Sequence, residues 1–145
     1  SEYKKLVSEC NDAIMDEGLM LSNMGQYEYK YWDSLNNLGG DADYESMISN
    51  TYEWLSEKGG IEKTTVEGNY SNICSQYKEI IAYEVSGTEA EEITKNFTEL
   101  FNNFNALYLL ITSPSGNISD FADNFNEYSD NIKNCNSTLS ILVSE

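Results

Sequence analysis

From Ile118 to Leu142 an apolar residue returns every three or four positions without a gap: Ile118, Phe121, Phe125, Tyr128, Ile132, Cys135, Leu139 and Leu142. The steps run 3, 4, 3, 4, 3, 4, 3, which is the seam of a helix packed lengthwise against other helices. A strand would scatter the same residues over both of its faces. The segment can bury its side chains only as a helix.

The rest of the chain repeats the pattern. Ile93, Phe97, Leu100, Phe104, Leu107 and Ile111 form a second clean stripe. Ser113-Pro114-Ser115-Gly116 is a turn, short enough to make the flanking helices antiparallel neighbours. Thr88 followed by Glu91 has the spacing of a capping box. Upstream, Leu6, Val7, Cys10, Ala13, Ile14, Leu21, Met24, Tyr31, Trp32 and Leu35 trace a helix from Tyr3 to Leu38, roughly 50 Å long, stopped by Gly39-Gly40. Gly18 and Gly25 lie inside it at about 1 kcal/mol each relative to Ala, so a bend or break is expected there. Asp41 or Asp43 is suited to cap the next helix. Its stripe is Tyr44, Ile48, Tyr52 and Leu55, continued by Val66, Tyr70, Ile73, Tyr77, Ile80 and Ile81 after an interruption at Gly59-Gly60.

No sustained period-two run marks a strand. The expected fold is therefore all-α: an antiparallel helical bundle of about four helices, the second split near Gly59-Gly60, in a single domain over residues 1–145. Roughly two-thirds or more of the chain should be helical. The expected core of the last two helices is Phe97, Leu100, Phe104, Leu107, Phe121, Phe125 and Ile132.

Charge narrows the function. There are 25 acidic and 8 basic residues, a net charge of −17, and every basic residue is Lys. Without His there is no imidazole base or imidazole metal ligand. Without Arg there is no bidentate clamp for phosphate. A charge of −17 repels nucleic acid, whose binding depends on basic residues meeting phosphates. Aromatics at 12% are too many for a disordered chain. The longest apolar run, Ala106–Ile111, is too short for a transmembrane segment. Cys10, Cys74 and Cys135 are widely spaced and fall on or beside apolar stripes. They read as free thiols serving as small hydrophobes, with one disulfide plus a leftover thiol as the alternative.

Few residues carry a chemical signal. Glu17 and Glu28 fall at the centre of the first apolar stripe, where an unpaired carboxylate is costly. They lie roughly 16 Å apart along a helix, too far to share one metal ion. The expectation is that Gly18 and Gly25 shift the phase and turn one of them to solvent. Glu9-x-x-Asp12 and Glu89-x-x-Glu92 match the Mg²⁺-holding pairs of all-helical nucleotide pyrophosphohydrolases in spacing alone, which 25 acids produce by chance. Asp41-Ala42-Asp43-Tyr44-Glu45 lacks the twelve-residue calcium pattern and starts a helix instead. No catalytic residue, metal ligand or cofactor is assigned.

The aromatic run Tyr27-Glu28-Tyr29-Lys30-Tyr31-Trp32 is different. Tyr31 and Trp32 face the core, Tyr27 sits at its edge and Tyr29 points away. Exposed Tyr and Trp are enriched in recognition sites. Tyr27, Tyr29, Trp32, Tyr52 and Trp54 are therefore the candidate binding residues. Sequons at Asn69, Asn96, Asn117 and Asn136 matter only in a secreted eukaryotic protein.

Seventeen Asn, six Ala and no Arg suit an AT-rich genome, and the chain starts Ser1-Glu2-Tyr3 without Met. The expectation is an extracytoplasmic domain, secreted or lipoprotein-borne, that is not an enzyme and acts by binding a protein or surface ligand. Two alternatives are an acidic inhibitor or immunity-like protein for a basic partner and a carboxylate-metal-dependent enzyme.

Overall fold

Five helices make up 84% of the chain in the computed structural model, which describes residues 1–144. They are α1 (Glu2–Asn37), α2 (Tyr44–Gly59), α3 (Lys63–Ile81), α4 (Thr88–Thr112) and α5 (Ile118–Leu142). Among the described residues there is no strand.

The contacts fix the directions. On α1 and α2, Tyr27 stacks on Trp54 while Trp32 meets Tyr44, so the two run antiparallel. Tyr3 packs against Tyr83 just past α3, and Glu17 sits by Asn69 and Tyr70, so α3 runs the same way as α2. The helices α2 and α3 are thus one descending rod broken in the middle. Helix α4 ascends: Lys4 pairs with Glu89 at 2.6 Å, and Tyr70 stacks on Tyr108. Helix α5 descends beside α1 and α4, with Phe121 against Trp32. The bundle has five helices on four rods, rather than four helices.

The break follows from local chemistry. Gly60 takes a left-handed conformation (φ 66°) that favours glycine, and its N–H caps the Ser56 carbonyl. The Ser56 hydroxyl then donates to Glu62 at 2.8 Å across the gap. The α4–α5 turn is tied to α2 by the Tyr44 hydroxyl, which donates to the Gly116 carbonyl.

The core is continuous along the bundle. Phe97, Leu100, Phe104, Leu107 and Ile111 of α4 meet Ile132, Cys135 and Leu139 of α5 and the α1 stripe. A smaller cluster of Trp32, Met47 and Phe121 closes one end.

Four expectations are corrected. Helix α1 runs unbroken through Gly18 and Gly25, because packing along 36 residues outweighs two weak propensities. Thr88 is the first helical residue, and Gly87 caps α4 with no side-chain bond, so no capping box forms. On α2 the buried face is Met47, Thr51 and Leu55, with Tyr44, Ile48 and Tyr52 at its edge. Phe125 is only half-buried, whereas the other six expected core residues are buried. Asp43 caps α2 as expected, accepting from the Ser46 amide at 3.1 Å.

Charge opposes this packing. Eight lysines face 25 acids, so self-repulsion weakens the compact state. Salt screens it over about 8 Å at 0.15 M. The melting temperature should rise between dilute buffer and 0.15 M NaCl. A melt indifferent to NaCl would show that repulsion is small.

Candidate functional site

The five candidate aromatics do not form one patch. Trp32 is buried with Phe121 and Met47, so it is core and not recognition surface. Its place in the stripe leaves no other option, since it lies seven residues from Gly25 and four from Glu28, both buried. Tyr27 and Trp54 stack on each other at 4.9 Å between α1 and α2, both half-buried. Tyr52 is half-buried beside them in sequence, with the Lys63 ammonium 5.4 Å above its ring. Tyr29 alone is exposed, at 40%.

Tyr29 stands at one end of a trough between α1 and α5. A cleft of about 330 Å³ lies between Gly25, Tyr29 and Lys30 of α1 and Phe121, Ala122 and Phe125 of α5. A second of about 550 Å³ continues it past Gly18, Leu19 and Ser22 to Ile132 and Lys133. The two share Gln26, Phe125 and Asn126. On α1 the trough spans residues 15–30, roughly 22 Å of helix.

Small residues create it. Gly18, Ser22 and Gly25 are spaced four and three apart and so lie on one helical face, beside the apolar stripe. That spacing was visible in the sequence, but reading the glycines as weak points concealed it. Their roles differ. A Cβ built on Gly25 would come within 2.3 Å of the Phe125 ring, whereas one on Gly18 would meet nothing within 4 Å. Gly25→Ala should therefore cost about 1–3 kcal/mol through overpacking. Gly18→Ala should stabilise by up to about 1 kcal/mol. Chemical denaturation of the two variants measures both, and equal shifts would contradict the packing.

The second feature is buried acid. Glu17 and Glu28 are 1% and 0% exposed, and none of their four carboxyl oxygens has a hydrogen-bond partner. The expected turn of one of them to solvent does not occur, because unbroken α1 keeps both in the stripe. Burial pushes Glu28 up to about 9, so it is protonated at neutral pH. Burial raises Glu17 to about 7, against a smaller opposing pull from the Asn69 side chain and the Tyr70 amide, which stop short of hydrogen-bond geometry. Tyr52 and Tyr108 share this interior. Their hydroxyls are pushed up by burial first, then by neighbours that include Glu17 and Glu67.

Glu9, Asp12, Glu89 and Glu92 are all exposed. Among the described residues, no three acid or thiol side chains gather closely enough to hold a metal ion. Cys10, Cys74 and Cys135 are free; the first and last are buried and Cys74 is half-buried. Among the described residues, no helix is long and apolar enough to cross a membrane.

No protein-family model and no solved structure matches the chain. A curated protein, probable sucrose-phosphate synthase 2 of Craterostigma plantagineum, is 37% identical over 68 residues. The match covers 42% of this chain and 6% of that protein, so the chain spans only a small fraction of that relative.

Proposed function

We propose that this helical bundle is a non-catalytic binding module, acting outside the cytoplasm through protein or surface-ligand contact in the α1/α5 trough. The observation that carries the reading is the trough itself. Tyr29 and Leu19 are exposed along an apolar floor of Leu107, Phe125 and Ile132. Clefts with an apolar lining and a few polar groups are the usual form of ligand sites.

The composition supports the non-catalytic part. No imidazole or guanidinium is available to move a proton or neutralise a transferred phosphate. The two buried carboxyls share no hydrogen bond with another acid. The short match to probable sucrose-phosphate synthase 2 covers too little of that protein to bring its activity here.

A photocrosslinking residue at position 29 tests the reading, with position 78 on exposed α3 surface as control. Adducts in the source organism's extracts should form at 29, vanish in a Gly18→Leu background and be absent at 78. Equal adducts at both positions, or adducts indifferent to Gly18→Leu, would refute it.

A further inference from the structure

We propose that the α1/α5 trough binds a single-chain anionic amphiphile, a long-chain carboxylate of the fatty-acid class, with its head at Lys30 and its chain laid toward Ile132. This rests on the binding-module reading above and goes further by naming the ligand's chemistry and its direction in the site.

The two clefts of the trough differ in what lines them. The one of about 330 Å³ carries Lys30 and no acid, with the Gln26 and Asn126 amides and the Tyr29 hydroxyl as further donors. Among the described residues Lys30 forms no ion pair. Its flexible stem can lie along Phe121 or Phe125 while the ammonium stays at the cleft mouth. The cleft of about 550 Å³ is floored by Leu107, Phe125 and Ile132, with Leu19 on its wall. Its two charges, Asp130 and Lys133, offset one another. The trough therefore has a cationic end and an apolar length.

That polarity selects the ligand. An apolar site with a few polar groups at one end fixes the direction of what it holds. A carboxylate head meets the Lys30 ammonium and the neighbouring donors, and its chain covers Leu19, Leu107, Phe125 and Ile132. A cationic head meets Lys30 as repulsion, and a neutral head leaves that charge unused. Length agrees. One hydrocarbon chain spans a bilayer leaflet of roughly 15 Å, and the trough runs roughly 22 Å along α1, which leaves room for the head. The net charge of −17 opposes any anion from a distance, but salt screens it over about 8 Å at 0.15 M. Inside that distance the lining of the smaller cleft supplies a cation. The same net charge keeps the molecule off an anionic bilayer, so the amphiphile is met as a free molecule.

The test is isothermal titration calorimetry at 0.15 M NaCl with straight-chain carboxylates of roughly 8 to 14 carbons, and with neutral alkyl glucosides of the same lengths, below micelle-forming concentrations. Three variants are compared after their melts show them folded: Gly18→Leu with Ser22→Leu, which fills the larger cleft; Lys30→Gln; and Lys133→Gln, which makes the same charge change at the other end. Each added methylene should tighten carboxylate binding by at least about twofold. Filling should weaken it by at least roughly tenfold, and Lys30→Gln by at least roughly fivefold, with Lys133→Gln costing much less. The glucosides should bind more weakly and ignore Lys30→Gln. Equal losses from the two lysine variants, or glucosides that bind as tightly as the carboxylates, would overturn the anionic head. Lys30-dependent sedimentation with phosphatidylglycerol vesicles would overturn the free amphiphile in favour of a membrane. If no carboxylate binds while the position-29 adducts still vanish in Gly18→Leu, the amphiphile is refuted and the trough reading stands. If the adducts also ignore Gly18→Leu, both fail.

Discussion

Glu28→Gln should stabilise this protein, and by more as pH rises. The carboxyl is 0% exposed with no partner, and burial lifts it from its ordinary 4.5 to about 9. Between those values the unfolded chain releases the proton and the folded chain keeps it. Stability is therefore fully present below about 4.5 and is lost as pH climbs through about 9. At 1.36 kcal/mol per pH unit the loss is roughly 3 kcal/mol at pH 7 and roughly 6 at pH 9. Glutamine has the shape and polarity of the neutral acid but no proton to lose, so it should recover most of this. Glu17, lifted to about 7, adds a loss of the same sign over a narrower window. Urea denaturation of wild type and variant from pH 5 to 9 gives the two curves. Parallel curves would show that Glu28 is solvated or paired.

Phe104→Ala should have the largest destabilising effect. Phe104 is 0% exposed on α4, packed against Tyr70 and Phe101 within the main core. Removing a buried phenyl costs roughly 3–5 kcal/mol, transfer and cavity together. That is a large part of a typical domain stability of about 5–15 kcal/mol. Phe125→Ala should cost distinctly less, because that ring is half-buried at the trough edge. Guanidinium denaturation of the pair separates the two outcomes. Equal losses would place Phe125 in the core after all.

The architecture was legible where burial is one-sided and long. The stripes of Ile93–Ile111 and Ile118–Leu142 set α4 and α5 to within a few residues of the observed helices, since each buries one face over about seven turns. Asp43 was legible as a cap for a local reason, its side chain reaching the Ser46 amide. What failed was decided by more distant parts of the fold. Local propensity put a bend or break at Gly18 and Gly25, but α1 runs unbroken through both and keeps Glu17 and Glu28 buried in its stripe. The α2 stripe was read one edge off, because Thr51 counts as polar by composition yet is buried, its hydroxyl donating to the Met47 carbonyl at 2.7 Å. The trough is a relation between α1 and α5, and from one chain segment only Tyr29 and the spacing of Gly18, Ser22 and Gly25 hinted at it.

The break between α2 and α3 has a kinetic consequence. Helix α2 hangs between residues 38–43 and 60–62 and packs chiefly on α1, whereas α4 packs against α1, α3 and α5. It should behave as its own cooperative unit, lifting off α1 while α4 and α5 stay closed. Its amide protons should then exchange with deuterated solvent through a low-energy local opening, well before those of α4. Each opening would strip cover from Trp32 and Phe121, so indole fluorescence should flicker on the same timescale.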